Sequence, residues 1–144
     1  MIKQITLSTL LLCLAQFCLA QSGITGTWKA IDDQTGVAKS HITIEEKDGK
    51  YYGTISEILR EDRKDALCTE CDGALKDQPI LGMTILKDLE PYKDYFSYGT
   101  ILDPENGKNY KCSLWQDDEN TLTVRGYVGI SALGRSQNWY RVKN

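Results

Sequence analysis

The C-terminal part of the chain carries the clearest signal of the fold. It reads LTVRGYVGI at residues 122–130, SALG at 131–134 and RSQNWYRV at 135–142. The first and third segments alternate with the period of two that is typical of a β-strand. The four residues between them suit a turn. We therefore predict that the chain ends in an antiparallel hairpin.

Similar short segments occupy most of the remaining chain. We predict further strands over residues 26–32, 37–46, 51–59, 79–89, 95–102 and 108–116. A helical turn over residues 84–89 also fits the pattern, and Pro91 is expected to end that segment. Asp48-Gly49 and residues 103–107 favour tight turns. Eight strands without a long amphipathic helix predict an all-β protein, a closed or nearly closed antiparallel up-and-down barrel.

One connection is longer than the others. Residues 60–78 are polar, charged and without periodicity, apart from a short helix that residues 61–67 could form. Connections of this length in a small domain are usually functional or mobile. We expect this one to lie over or beside an entrance to the barrel.

The N-terminus has the features of a signal peptide. Lys3 precedes a mostly apolar run, and Cys18-Leu19-Ala20 places small residues where a signal peptidase reads them. We predict cleavage after Ala20, a single barrel domain over residues 21–144, and a secreted or periplasmic location. No second apolar segment is long enough to span a membrane.

The charge balance argues against nucleic acid as a partner. The formal net charge is -3, and removal of Lys3 with the signal peptide makes it -4. The sequence contains no basic run, whereas nucleic-acid-binding domains carry clustered lysine and arginine. The sequence does not identify a protein partner.

Three cysteines remain after removal of the signal peptide: Cys68, Cys71 and Cys112. Export favours oxidation, and a Cys68–Cys71 disulfide that pins the long connection is the preferred interpretation. Pairing of one of them with Cys112 is the rival, and a thiol-redox role is a third hypothesis. A zinc site that combines the three thiols with His41 is a weaker alternative, and we predict no metal site.

Arginine and aromatic residues are the candidates for ligand binding. Arg125 and Tyr127 share one face of a strand, and Arg135 lies on the next one. A guanidinium can hold a carboxylate or phosphate whose apolar part fills a barrel. The predicted ligand-binding residues are Arg125, Tyr127, Arg135, Tyr98 and Tyr110. For Arg141 we expect a structural role instead, stacked on Trp28 or Trp139.

Catalytic signals are weak. The chain has one histidine, no Gly-x-Ser-x-Gly elbow and no Ser-His-Asp order. We therefore predict no catalytic residues and no cofactor.

Two resemblances support the barrel. The segments Gly26-Thr27-Trp28 and Trp139-Tyr140-Arg141 resemble the ends of calycin barrels such as lipocalins. This implies that Trp28, Trp139 and Arg141 close the barrel floor. Over nearly all of the mature chain, the sequence resembles a family of secreted bacterial proteins, domain of unknown function 2147. The matching motifs are Gly26-x-Trp28, Gly53-x-Ile55, Cys68-x-x-Cys71, Pro79-Ile80-x-Gly82-Met83, Gly99-x-Ile101-x-Asp103-Pro104-x-Asn106-Gly107-Lys108-x-Tyr110, Arg125-Gly126-Tyr127 and Gly134-Arg135-x-Gln137-x-Trp139-x-Arg141. That resemblance implies fold and export, but no substrate.

Three functional hypotheses follow. The first is an exported module that holds a small amphipathic or anionic ligand inside the barrel. The second is a packed barrel without a ligand that serves as an interaction or structural protein of the cell envelope, and the third is the thiol-redox protein. A cavity would favour the first hypothesis and a filled interior the second.

Overall fold

Eight antiparallel strands close into one barrel in the computed structural model, which describes residues 23–143. The strands are β1 (Gly26–Ile31), β2 (Ala38–Lys47), β3 (Lys50–Ile58), β4 (Thr84–Tyr92), β5 (Tyr95–Asp103), β6 (Lys108–Asp118), β7 (Thr121–Tyr127) and β8 (Gly134–Arg141). Each strand pairs with the next, and β8 pairs back to β1 through Trp28 with Arg141 and Ala30 with Trp139. The predicted fold class is confirmed. The predicted signal peptide lies outside the described residues.

The two ends of the barrel differ. At the closed end, two-residue turns join β2 to β3, β4 to β5 and β6 to β7. At the open end, longer segments join β1 to β2, β3 to β4, β5 to β6 and β7 to β8. The longest of these is the β3–β4 segment, residues 59–83, which contains the short 3₁₀ helices Glu61–Arg63 and Gly73–Leu75. The open end therefore has the more varied surface.

Several element boundaries differ from the prediction. Pro91 does not end β4, because the ladder with β3 reaches only Leu89 and the missing N–H of Pro91 falls beyond it. β4 begins at Thr84, so residues 79–83 belong to the preceding connection. β7 ends at Tyr127, and a 3₁₀ helix, Ser131–Leu133, lies before β8. Only one 3₁₀ turn of the predicted helix at residues 61–67 forms.

Side chains fill the interior near the closed end. Alternation along each strand directs one set of residues inward, and the largest of these are fully buried. They include Trp28, Ile44, Leu89, Leu114 and Leu122. Burial of a side chain of this size contributes about 1.5–3 kcal/mol. This half of the barrel is a packed core that anchors the more open half.

The long β3–β4 segment is tied to the barrel. A disulfide joins Cys68 to Cys71, both of them buried, so these thiols do not form the zinc set that was considered as an alternative. The amide of Cys68 donates to the carbonyl of Gln78 at 2.8 Å. Gly107, in the β5–β6 turn, packs so closely against the backbone of Glu70 that an added Cβ would overlap the carbonyl oxygen of that residue. The β3–β4 segment is therefore ordered and is held against the barrel by specific contacts.

Candidate ligand-binding site

A cavity of about 310 Å³ occupies the open half of the barrel. Its wall is largely aliphatic, because the inward positions of the strands carry isoleucine, leucine, valine and alanine. The apolar lining comprises Ala30, Ile42, Ile55, Ile58, Ala66, Ile80, Ile85, Ile101, Leu102, Val124 and Trp139. Ala66 and Ile80 come from the β3–β4 segment, which therefore borders the cavity as expected.

Charged side chains surround the mouth of this cavity. Four are basic, Lys39, Arg60, Arg63 and Arg135, and two are acidic, Asp103 and Glu105. An apolar interior with a charged mouth suits an amphipathic molecule, because its polar end can remain hydrated while its body is buried. Which of these cations can bind a ligand anion depends on whether its side chain is already paired with a carboxylate.

Arg135 is already engaged. Its Nε donates to Oδ2 of Asp33 at 2.7 Å, and its second guanidinium nitrogen donates to the other carboxylate oxygen. This hydrogen-bonded pair lowers the pKa of Asp33 and raises that of Arg135. The pair joins β8 to the β1–β2 segment across the rim. A ligand anion that binds Arg135 would have to compete with the carboxylate of Asp33 for the guanidinium.

Two other rim cations are also paired. Lys39 lies 2.9 Å from a carboxylate oxygen of Glu105, and Arg60 lies 2.8 Å from one of Asp62. Within residues 23–143, Arg63 has no carboxylate within 4.0 Å of its guanidinium nitrogens. Its side chain is half-buried at the cavity mouth. Arg63 is therefore the rim cation best placed to meet a ligand anion.

The five predicted ligand-binding residues separate into two groups. Arg135 and Tyr110 line the cavity, and the hydroxyl of Tyr110 accepts a hydrogen bond from Nδ2 of Asn106 at 3.1 Å. Arg125, Tyr127 and Tyr98 do not line it. The structure thus brings two of the predicted residues together at the cavity and separates the other three from them.

Arg125 and Tyr127 lie outside the lining of the cavity. Both alternate with Val124 and Gly126, which face the cavity, so they lie on the outer wall. Nε of Arg125 donates to the carbonyl of Ser131 at 2.7 Å, and its NH1 donates to Oγ of Ser136 at 2.9 Å. Arg125 therefore anchors the β7–β8 segment.

Tyr98 also lies on the outer wall. Its side chain is 66% exposed, and its ring packs edge to face against Tyr92 with the centroids 5.5 Å apart. Of the five predicted residues, Arg135 and Tyr110 thus line the cavity, and a ligand contact by any of the five stays a prediction.

Sequence reasoning missed the other rim cations, Lys39, Arg60 and Arg63. Arg60 and Arg63 are three residues apart at the start of the long connection, which was expected beside an entrance. That spacing is a signal that could have identified them. Lys39 carries no comparable signal, because its place at the rim depends on the register of β2.

Trp28 and Arg141 meet at the closed end. The guanidinium carbon of Arg141 lies 4.1 Å from the ring centroid of Trp28, a cation–π distance. Arg141 also donates to the carbonyls of Gly23, Thr25 and Glu119 at 2.8, 3.1 and 2.7 Å. Trp139 lies farther toward the cavity and borders it. Arg141 thus connects three chain segments across the floor, opposite the cavity mouth.

The cysteines are poorly suited to thiol chemistry. Cys68 and Cys71 form a buried disulfide. Cys112 is the free thiol of residues 23–143, and its burial raises its pKa to about 12. A thiol with this pKa is almost entirely protonated at neutral pH, whereas redox chemistry requires the thiolate.

No helix within residues 23–143 has the length and apolar character needed to cross a bilayer.

Comparisons with known proteins agree with the geometry. The family profile described as "Uncharacterized protein conserved in bacteria (DUF2147)" matches residues 26–141. A solved structure, described as "Protein HP1028 from the human pathogen Helicobacter pylori belongs to the lipocalin family", is similar with a TM-score of 0.75. The two are 18% identical, over 85% of this chain and 84% of that one. This likeness concerns the fold. Among curated proteins, none matches the chain.

Proposed function

The chain belongs to the DUF2147 family of uncharacterized bacterial proteins, and from the geometry of its barrel we propose that it is an exported module that binds a small amphipathic or anionic molecule. The cavity of about 310 Å³ carries the proposal. Its volume is at the lower end of the range for small-molecule sites. The ligand is therefore small.

The lining sets the orientation of this ligand. The apolar body lies among the isoleucines and Val124 in the barrel, where its transfer from water is favourable. The polar end stays at the mouth, where Arg63 meets its charge. Arg135 and Tyr110 are additional contacts, and Arg135 engages fully only when its pairing with Asp33 is exchanged. Recognition thus combines burial of apolar surface with the guanidinium of Arg63, which pairs with no carboxylate in the part of the chain that the structure describes.

The packed-barrel hypothesis is less well supported. That hypothesis expects side chains to fill the whole interior. They fill the closed half of the barrel, whereas the open half contains the cavity. A secreted or periplasmic location is part of our proposal. It rests on the signal-like residues 1–20, and a formed disulfide is compatible with an oxidising compartment.

Titration with 1-anilinonaphthalene-8-sulfonate, an apolar fluorophore with one sulfonate, tests this proposal. We expect one bound molecule per barrel and competition by short-chain carboxylates. A half-exposed charge-assisted contact contributes about 1.4 kcal/mol, so Arg63→Ala should weaken binding about tenfold. Lys64→Ala is the matched control, because Lys64 is adjacent, pairs with Glu61 and lies outside the lining.

Two outcomes would contradict the proposal. One is equal affinity of the Arg63→Ala variant and the parent for the fluorophore. The other is the absence of any saturable binding, together with a bare mass in native mass spectrometry of protein taken from its own compartment. An added mass that disappears on denaturation would support the proposal and begin to identify the ligand.

A further inference from the structure

One buried polar side-chain atom finds no hydrogen-bond partner in the part of the chain that the structure describes. It is Nε1 of Trp139, a residue that is only 2% exposed. A buried indole N–H normally donates to an acceptor, because an unpaired donor loses its hydrogen bonds to water without replacement. The N–H of Trp139 is therefore a candidate contact for a ligand.

The other two tryptophans of the chain have satisfied N–H groups. Nε1 of Trp28 donates to the carbonyl of Ile24 at 2.8 Å. Nε1 of Trp115 donates to Oδ1 of Asp117 at 3.2 Å. Neither of these tryptophans lines the cavity, whereas Trp139 does. The indole that has no acceptor within residues 23–143 is thus the one that borders the cavity.

Trp139 lies at the base of this cavity. Arg135, Gln137 and Trp139 occupy alternate positions of β8, and all three line the cavity. Exposure falls along this row, from exposed Arg135 through half-buried Gln137 to buried Trp139. Across the sheet, Trp139 pairs with Ala30, which borders the cavity, and with Leu122, which is fully buried in the packed core. The indole therefore lies where the cavity meets the packed half.

The three side chains form a row of hydrogen-bond donors along a largely aliphatic wall. The two near the mouth both face Asp33: Arg135 donates to its two carboxylate oxygens, and Nε2 of Gln137 lies 3.5 Å from one of them. At a strand rise of about 3.3 Å per residue, Trp139 lies about 13 Å from Arg135 along β8. The innermost donor is thus far from the charged mouth and from the carboxylate that engages the other two.

We propose that Trp139 selects an oxygenated ligand, one whose buried end carries a hydrogen-bond acceptor such as a ketone oxygen. This inference rests on the proposed function and makes its ligand class more specific. The anionic end remains at the mouth beside Arg63, and the acceptor oxygen receives the indole N–H at the base of the cavity. A purely aliphatic chain occupies the same space but supplies no acceptor for that donor.

Binding of two matched acids to the parent and to a Trp139→Phe variant tests the proposal. The acids are octanoate and the acid of the same length with a ketone on its penultimate carbon. In the variant the ketone loses its donor and is buried without a partner, whereas octanoate loses only contacts with the ring. The affinity of the keto acid relative to octanoate should therefore fall about tenfold. Trp115→Phe is the matched control and should keep the parent's ratio, because Trp115 lies outside the lining.

NMR of the indole N–H groups in the parent gives a second readout, which remains valid if Trp139→Phe does not fold. The keto acid should shift the N–H proton signal of Trp139 downfield, and octanoate should not. The signals of Trp28 and Trp115 are internal references, because both N–H groups already donate to protein acceptors.

The outcomes separate this inference from the proposed function. Equal affinity ratios in the parent and in Trp139→Phe, or an equal response of the Trp139 signal to both acids, would overturn the inference while octanoate binding still supported the proposed function. A ratio that falls in Gln137→Leu and not in Trp139→Phe would also overturn it, because the ketone would then meet Gln137. Absence of saturable binding of both acids to the parent would contradict the proposed function, and this inference with it.

Discussion

Gly126 allows the cavity to be tested with a substitution that should stabilise the fold. The residue lines the cavity from β7. A Cβ built at this position lies 3.4 Å from Cβ of Tyr110 and 3.5 Å from Cγ2 of Ile101, which is ordinary van der Waals contact. Gly126→Ala should therefore raise the free energy of unfolding by about 0.5–1 kcal/mol, because alanine gives the unfolded chain less backbone conformational entropy than glycine does.

Gly99 is the matched control on β5. A Cβ there would lie 2.5 Å from the carbonyl oxygen of Lys87 and 2.7 Å from Cγ of Leu89. The backbone of β4 would have to shift, which costs about 1–3 kcal/mol. The same chemical change should thus have opposite signs at the two positions, with a difference of about 3 kcal/mol. For a domain of this size that difference corresponds to a Tm gap of about 12 °C.

Unfolding in urea, followed by tryptophan fluorescence, measures both variants. Similar destabilisation by Gly126→Ala and Gly99→Ala would contradict this prediction, because it would show that no free space borders Gly126. A leucine at position 126 extends the same test to binding. If the leucine side chain displaces a part of the ligand as large as two methylenes, the binding free energy weakens by about 1.6 kcal/mol, which is a factor of about 15 in affinity. Unchanged affinity would place the ligand elsewhere.

Three further predictions concern the closed end, the free thiol and the rim. Arg141→Ala should lower the free energy of unfolding by about 3 kcal/mol, because three backbone carbonyls lose a charged donor and Trp28 loses its cation–π contact. A loss below about 0.5 kcal/mol in urea-induced unfolding would contradict a stabilising role of Arg141 at the closed end. Cys112, with its pKa raised to about 12, should resist iodoacetamide in the folded protein and react once per chain after denaturation. Mass spectrometry counts the alkyl groups added, and rapid alkylation of the folded protein would contradict the prediction. The hydrogen bonds from Arg135 hold the folded pKa of Asp33 below its ordinary value, so this pairing should stabilise the protein above about pH 4 and cease to do so as the pH falls through the folded pKa. Carboxyl-carbon NMR titration should show this pKa return toward its ordinary value in Arg135→Gln, and an unchanged pKa would argue against the pair.

The barrel could be predicted from local features of the amino-acid sequence. The period of two, the turn residues and the even spacing of eight segments are local properties, and a closed sheet is the way in which such segments bury one face each without exposed edges. The resemblance at Trp28 and Arg141 indicated which strands meet at closure. The β3–β4 connection was expected near an entrance because its length and composition depart from those of the other connections.

Which cations face the cavity could not be predicted from the sequence, because it depends on how the strands pair. Periodicity shows that Arg125 and Tyr127 share a face, but not whether that face is the inner or the outer one, because a shift of one residue in register exchanges the two. The pairing of Arg135 with Asp33 joins residues 102 positions apart. The lack of a carboxylate partner for Arg63 within residues 23–143 can be recognised only when the acidic side chains near every rim cation are known. Charge pairing and register are properties of the assembled barrel, since they depend on contacts between segments that are distant in the chain.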